Sequence, residues 1–378
     1  MVRVKLFCMQ KNEEDILEDW ILYHSYLFGM DNLYIIDNQS NQMSINILKK
    51  YEKLGLHLSV QTDYSKKGEY LFELIKNTQN ECDLAIPLDI DEFVAMVDLN
   101  NMSDAFATRL TTACLSLDQQ YYITRYPQIQ TEAKTSQAVF EHFFKKGFNM
   151  NWVCCPIYKA NVSQADKDIF VKKHSEMILK YYPKETLSCD KVQIQNYLET
   201  LPKFGRYSFL YYLTSRNSEI DYDNPLQEII TFDLVDYEYT DGKSNLNKKF
   251  FDSKKLTYLD HGNHHGKIDG LPQNQYVNTH LVLFHYHGRG SRKLIEKCRN
   301  DIKGLGIVKD INNMRELKEK IKQNVIGAHN IQTYLQYLTS GPGSLCVFDD
   351  EGIIIDKLAR KIKEIKCSLR GCPEIQHW

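Results

Sequence analysis

Leu84-Ala85-Ile86-Pro87-Leu88, running straight into Asp89-Ile90-Asp91-Glu92-Phe93, is the stretch on which the fold turns. Five apolar residues without polar alternation predict a strand buried on both faces, as in a parallel sheet. The carboxylates that follow then fall where open parallel sheets bind ligands, beyond the carboxyl ends of the strands. Toward the N-terminus, residues 2–9 alternate and predict a first strand. Asn12 is placed to cap a helix with Asp15 at its third position. Ile16, Trp20, His24 and Leu27 share one face of that helix, at spacings of four, four and three. Asn32-Leu33-Tyr34-Ile35-Ile36-Asp37 predicts a second strand, closed by the turn cluster Asn38-Gln39-Ser40-Asn41. A helix through Ile45, Leu48 and Tyr51 leads to Gly55, a third strand over 56–61 and a helix over 69–79. Alternation of this kind predicts βαβ units and a parallel sheet covered on both faces.

Beyond about residue 100 the pattern loosens. Residues 120–125 and 207–213 read as short strands among loop, and 227–239 as another before the Asp241-Gly242 turn. Residues 280–287 form a strand that Arg289-Gly290-Ser291 ends. From Ser291 onward the chain reads as helical and rich in Lys and Arg. An amphipathic helix begins with Arg292, Leu294, Ile295, Cys298 and Ile302, and a last one covers 353–365, after Gly341-Pro342-Gly343.

The chain has 378 residues, 43% of them hydrophobic, enough for a substantial core. Its 47 Lys+Arg against 49 Asp+Glu leave a net charge of −2, without the basic field that drives nucleic-acid binding. No stretch approaches the roughly 18 apolar residues of a membrane-spanning helix, and residues 2–9 are too short for a secretory signal. The ten cysteines show no framework spacing and no C-x-x-C, which fits reduced thiols and a cytoplasmic location. Cys367-x4-Cys372 is a weak metal signal. The aromatic count is skewed, with 24 Tyr and 17 Phe to 3 Trp, which suits half-buried packing or stacking on ring-shaped ligands.

The sheet edge carries Gln10–Glu13, Asp37-Asn38 and Asp89-Ile90-Asp91, a set suited to a cation and polar rings. Neither G-x-G-x-x-G nor a P-loop is present. Two aspartates two apart at a strand end can aim at one hard cation, with diphosphate oxygens completing the shell. Such a cation neutralises a leaving diphosphate. The alternative is a solvated acidic turn. Six histidines (261, 264, 265, 280, 285 and 287) fall within 27 residues. In His285-Tyr286-His287 alternate histidines share a face, and one of them could complete the shell of a metal on Asp91. Arg289, Arg292 and Lys297 are then placed to meet phosphate oxygens.

Together these residues resemble a known pattern. Lys11-Asn12-Glu13 through Trp20 and His24, then Tyr34 to Ser40, then Asp89-Ile90-Asp91-Glu92-Phe93, look like the GT-A glycosyltransferases. More narrowly, they resemble glycosyltransferase family 92 and related family 2-like bacterial and viral enzymes. The likeness covers about residues 3–98 well and 245–298 loosely. Two features depart from the pattern: Asp19 precedes Trp20, and the late block His285 to Ser291 is longer than usual. The resemblance implies a GT-A-like, Rossmann-type sheet, mixed but mainly parallel and flanked by helices. It implies a catalytic domain over 1–290, with a nucleotide-sugar half to about 98 and an acceptor half over 99–290, then a helical region over 291–378. The implied activity moves a sugar from a UDP- or GDP-sugar to a glycan or other hydroxyl acceptor, with Mn²⁺ or Mg²⁺, by inversion.

In that reading Asn12, Glu13, Asp37 and Asp89 lie toward the donor's base and ribose, with Arg289 at its phosphates. Asp91 and His285 hold the metal. His261 matches a family histidine without an assigned role. Inversion needs a base within hydrogen-bond reach of the acceptor hydroxyl; Asp260 is the first candidate, then Glu228 and Asp241. Tyr121, Tyr122, Tyr211 and Tyr212 are candidates for an acceptor platform, against plain packing. The rivals are a metal-dependent hydrolase or phosphotransferase using the histidine cluster, and a non-catalytic carbohydrate-binding protein. The basic C-terminal helices read as a solvated face, with a peripheral contact to an anionic membrane surface as the alternative.

Overall fold

The computed structural model describes residues 2–158, 162–203, 205–215, 233–235, 250–263, 265–273, 275–288, 291–325, 327–340, 353–354, 358, 361–362, 364–366 and 368. They form two compact units, one of residues 1–96 with 188–378 and one of residues 97–187. Among the described residues no helix is long and apolar enough to cross a membrane.

The first unit is mixed α/β, a large sheet flanked by helices. β1 (Val4–Gln10), α1 (Leu17–Phe28), β2 (Leu33–Asp37), α2 (Gln42–Glu52), β3 (His57–Val60), α3 (Lys67–Thr78), β4 (Leu84–Leu88) and β5 (Glu92–Val97) follow in chain order. β3, β2, β1 and β4 pair in parallel in that order, with Leu6 opposite both Leu33 and Ile86. β1, β2 and β4 are buried along their whole length, as the unbroken apolar run 84–88 predicts. Phe7, Met9, Tyr34 and Ile36 pack on Leu71 and Ile75 of α3.

Past β4 the sheet becomes mixed. Phe250–Asp252 runs antiparallel to β4, Arg206–Ser215 antiparallel to that, and Val277–Gly288 parallel to Arg206–Ser215. β5 then pairs antiparallel with Val277–Gly288. Among the described residues the strand Phe250–Asp252 pairs with β4 at Leu84 and Ala85. The turn Asp89-Ile90-Asp91 follows β4 and leads into β5.

Three local expectations are corrected. Asn12 does not cap α1; the helix begins at Leu17, and Asn12 sits in the left-handed region at φ 56°, its Oδ1 accepting from Asn41 N at 2.7 Å. Residues 120–125 are helical, within Gln119–Arg125, because the Asp118 side chain accepts from Tyr121 N at 2.9 Å. That cap overrides the strand preference of Tyr-Tyr-Ile-Thr. Ile353–Ile354 is a strand pairing antiparallel with Asp233 and Leu234, so the last helix does not start there. Gly341-Pro342-Gly343 lies outside the described residues, as does 227–239 apart from the strand Asp233–Val235.

The second unit is helical around its own core of Phe106, Leu110, Tyr122, Phe143, Phe144, Phe148 and Tyr182. Ser103, Asp118, Thr135 and Ser163 cap its helices. Tyr122 is fully buried and reaches His142 Nδ1 at 3.2 Å, so it packs the core and offers no platform to an acceptor. Tyr121, its neighbour, is half-buried.

His24 on α1 is fully buried between Trp20 O, 3.0 Å from Nδ1, and Val94 N, 3.3 Å from Nε2. Val94 donates to Nε2, so the ring is neutral with its proton on Nδ1. Burial pushes its pKa down to about 3. The unfolded chain binds this proton first, from about pH 6.5 downward, so stability is lost as pH falls. Relative to a His24→Gln variant, the wild type is expected to lose roughly 2 kcal/mol between pH 7 and pH 5. Urea unfolding of both proteins at the two pH values checks this, and parallel losses would refute it. Asp19, raised by burial to about 6, titrates with the opposite sign but alike in both proteins.

Candidate functional site

The carboxyl ends of β1 and β2 are tied together by polar side chains. Gln10 Nε2 donates to Asp37 Oδ1 at 2.7 Å and to Ser40 Oγ at 3.0 Å. Ser40 N donates to Asp37 Oδ2 at 3.1 Å, and Asn12 N to Ser40 Oγ at 3.0 Å. Both oxygens of Asp37, a buried residue, thus shape the turn beside Asn12. Glu13 is buried next to it. Lys293, from the helix Ser291–Gly304, donates to Asn12 O and lies 3.3 Å from Asp15 Oδ1 and 4.0 Å from Glu13 Oε2.

The β4–β5 turn is locked from within. Glu92 Oε2 accepts from Asp89 N at 2.8 Å, and Glu92 N donates to Asp89 O at 3.0 Å. The register of the sheet pairs His285 with Glu92, and Tyr286 N donates to Asp91 O at 2.7 Å. A residue 194 positions away in sequence (285 − 91) is brought to the turn by this register alone: His285 Nε2 stands 3.3 Å from Asp91 Oδ1. The other Asp91 oxygen, Oδ2, is 2.5 Å from Lys297 Nζ. Asp89 turns elsewhere, its Oδ1 2.5 Å from Lys67 Nζ and 3.4 Å from Asn263 Nδ2. The two aspartates are therefore taken by different lysines.

Lys67 reaches Asp89 because α3 starts against the loop that follows Leu256–Leu259. A Cβ on Gly68 would lie 2.6 Å from the carbonyl carbon and oxygen of Asp260, so only glycine permits this backbone approach. Burial would lower the Lys67 ammonium, but Asp89 outweighs it and raises the pKa. His261, in edge-on contact with Tyr64 at 4.9 Å, has its pKa lowered by burial and by Lys67. Asn263 is fully buried at φ 63°, a left-handed position that asparagine tolerates. Asp260 Oδ1 accepts from His265 N at 2.8 Å and closes the loop. Asp301, in the helix of Lys297, has its pKa raised by burial against the opposing pull of Lys297.

The structure brings together Asn12, Glu13 and Asp37 at the ends of β1 and β2, and Asp91 with His285 at the β4–β5 turn. Asp260 and His261 lie near Lys67. Among the described residues His280 stacks on Tyr197 at 5.7 Å, and no three His, Cys, Asp or Glu form a metal-holding group. Arg289, Glu228, Asp241 and His264 lie outside the described residues, as do the side chains of His287, Arg292, Tyr211 and Tyr212. A cavity of about 420 Å³ lies at the opposite ends of the strands, lined by Lys5, Tyr34, His57 and Glu81 among others, and none of the expected site residues borders it.

Sequence reasoning missed Lys67, Lys293 and Asn263. Lys67 did leave a signal: a lysine in the first turn of a helix opposes the helix dipole and needs another anion to hold it there. Comparison with models of known protein families finds no match, and comparison with curated proteins finds none at the level of significance applied.

Proposed function

We propose that this chain is a glycosyltransferase of GT-A-like fold, moving a sugar from a nucleotide diphosphate donor to a hydroxyl acceptor. One observation supports the reading above all. Asp91 and His285, 194 positions apart in sequence, meet past the carboxyl end of β4, with Lys297 on Asp91, Lys67 on the neighbouring Asp89 and Lys293 at Asn12 and Asp15. Such a site offers carboxylates for a cation and ammoniums for phosphate oxygens.

Mn²⁺ or Mg²⁺ fits the pair. Their facing atoms are 3.3 Å apart, near the roughly 3.0 Å between adjacent ligands in an octahedral shell of 2.1 Å bonds. Two protein ligands, with phosphate and water for the rest, are the usual complement of Mg²⁺. Bound there, the cation would neutralise charge on the leaving diphosphate. Gln10, Asn12, Glu13 and Asp37 would orient the nucleoside, with Asp89 toward the ribose. Asp260, whose Oδ1 is tied to His265 N, is the candidate base through its other oxygen.

A thermal-shift panel of UDP, GDP, ADP and CDP, each with and without Mn²⁺, tests this. A ligand at 100 times its Kd stabilises the folded state by about 2.7 kcal/mol, so one diphosphate is expected to raise the melting temperature by several degrees with metal and less without. If none shifts the melt in the presence of Mn²⁺, the reading fails. A carbohydrate-binding protein would instead bind glycan equally well after Asp91→Asn.

A further inference from the structure

We propose that Lys297 is a displaceable counter-ion of Asp91: it neutralises the carboxylate from Oδ2 before a divalent cation binds at Oδ1 and His285, is released by that cation, and is then left to meet the diphosphate. This rests on the nucleotide-diphosphate reading above and concerns how that site is gated.

The Asp91 side chain is 1% exposed. A carboxylate so buried is costly without a compensating charge, so some cation must stand by it at every stage. Lys297 meets that need with Nζ at 2.5 Å from Oδ2, on the opposite oxygen from His285. An ammonium and a divalent ion cannot both sit at contact distance from one carboxylate without strong like-charge repulsion. Binding of the metal at Oδ1 therefore weakens the lysine's hold on Oδ2 and favours its release.

The helix Ser291–Gly304 makes that exchange possible. It presents Lys293 and Lys297, four residues and about one turn apart, toward the sheet edge. Lys293 is the fixed member: its side chain is 7% exposed and sits against Asn12 O, Asp15 and Glu13. Lys297 is 21% exposed, and a lysine stem has enough rotatable bonds to swing its head while the helix stays in place. Lys67 does not take over, because Asp89 holds it at 2.5 Å. The partner that receives the released ammonium is the negative charge that arrives with the donor, its diphosphate.

The test titrates the full-length protein with Mn²⁺ alone, following loss of the free-ion electron paramagnetic resonance signal, in wild type, Lys297→Met, Lys297→Arg and Asp91→Asn. Lys297→Met is expected to bind Mn²⁺ roughly tenfold or more tightly than wild type, Lys297→Arg about as wild type, and Asp91→Asn far more weakly. A second measurement needs no variant: acylation of Lys297 in the wild type, read by mass spectrometry, should quicken severalfold when Mn²⁺ is added. Equal Mn²⁺ affinity in wild type and Lys297→Met, or an acylation rate that Mn²⁺ leaves unchanged, overturns the proposal. A diphosphate arm separates this from the wider reading. If UDP and GDP fail to bind while Mn²⁺ releases Lys297, the nucleotide reading falls and the exchange stands. If a diphosphate binds with Mn²⁺ while Mn²⁺ alone leaves Lys297 protected, the exchange falls and the nucleotide reading stands.

Discussion

Asp91→Asn is expected to lower sugar transfer by about a thousandfold while the protein stays folded. Asparagine keeps the shape of the side chain but removes the charge that a divalent cation needs. Loss of several kcal/mol of charge stabilisation at a leaving diphosphate corresponds to a rate loss of that order. The fold should tolerate the change. Lys297, which loses its partner, is 21% exposed and can turn to water, and the backbone bond from Tyr286 N to Asp91 O is untouched. Under the proposed function, nucleotide release from UDP- and GDP-sugars by wild type and variant is the measurement, with a melting curve beside it. A folded Asp91→Asn protein that retains more than a tenth of wild-type turnover would remove Asp91 from the chemistry.

Arg206→Met carries the largest expected loss of stability. The Arg206 side chain is almost fully buried, and its ion-pairing need is met by carbonyls. Nε and one terminal nitrogen donate to Gly266 O at 3.1 and 2.6 Å, and the other donates to Pro272 O, Gln273 O and Gln275 O at 3.0, 2.7 and 3.1 Å. Methionine fills similar volume but donates nothing, so the loop of Pro272 to Gln275 loses its anchor to the strand Arg206–Ser215. Several buried or half-buried acceptors left without donors cost about 3–5 kcal/mol, out of a typical total of about 5–15 kcal/mol. Calorimetry should show a fall in melting temperature on the order of 10 °C. Lys in place of Arg should recover part of it, since an ammonium can serve one or two of the carbonyls. A methionine variant that melts within a degree of wild type would show that water replaces the guanidinium without cost.

The N-terminal half of the first unit was legible because its signals are local. Strand β4 announces itself by five consecutive apolar residues, and the turn 38–41 by its Asn and Ser content. The second unit was misjudged for the same reason in reverse: Tyr121-Tyr122-Ile123-Thr124 has strand preference, and a single cap from Asp118 decides for helix. Asp37 was readable as a site residue by its place at a strand end. That both its oxygens brace the 38–41 turn was not, because the partners Gln10 and Ser40 lie 27 and 3 residues away.

The sequence by itself determined that residues 4–97 alternate between strand and helix, that acidic residues leave the ends of β1, β2 and β4, and that His285 lies on an apolar strand. Periodicity and turn chemistry act over a few residues and are written into them. Only the tertiary structure decided that Asp89 and Asp91 go to different lysines, and that Lys297 rather than a second aspartate stands closest to Asp91. Those pairings follow from sheet register and from a glycine-permitted contact between α3 and the loop at Asp260. Such contacts are set by packing over nearly two hundred residues of chain, and no local pattern encodes them.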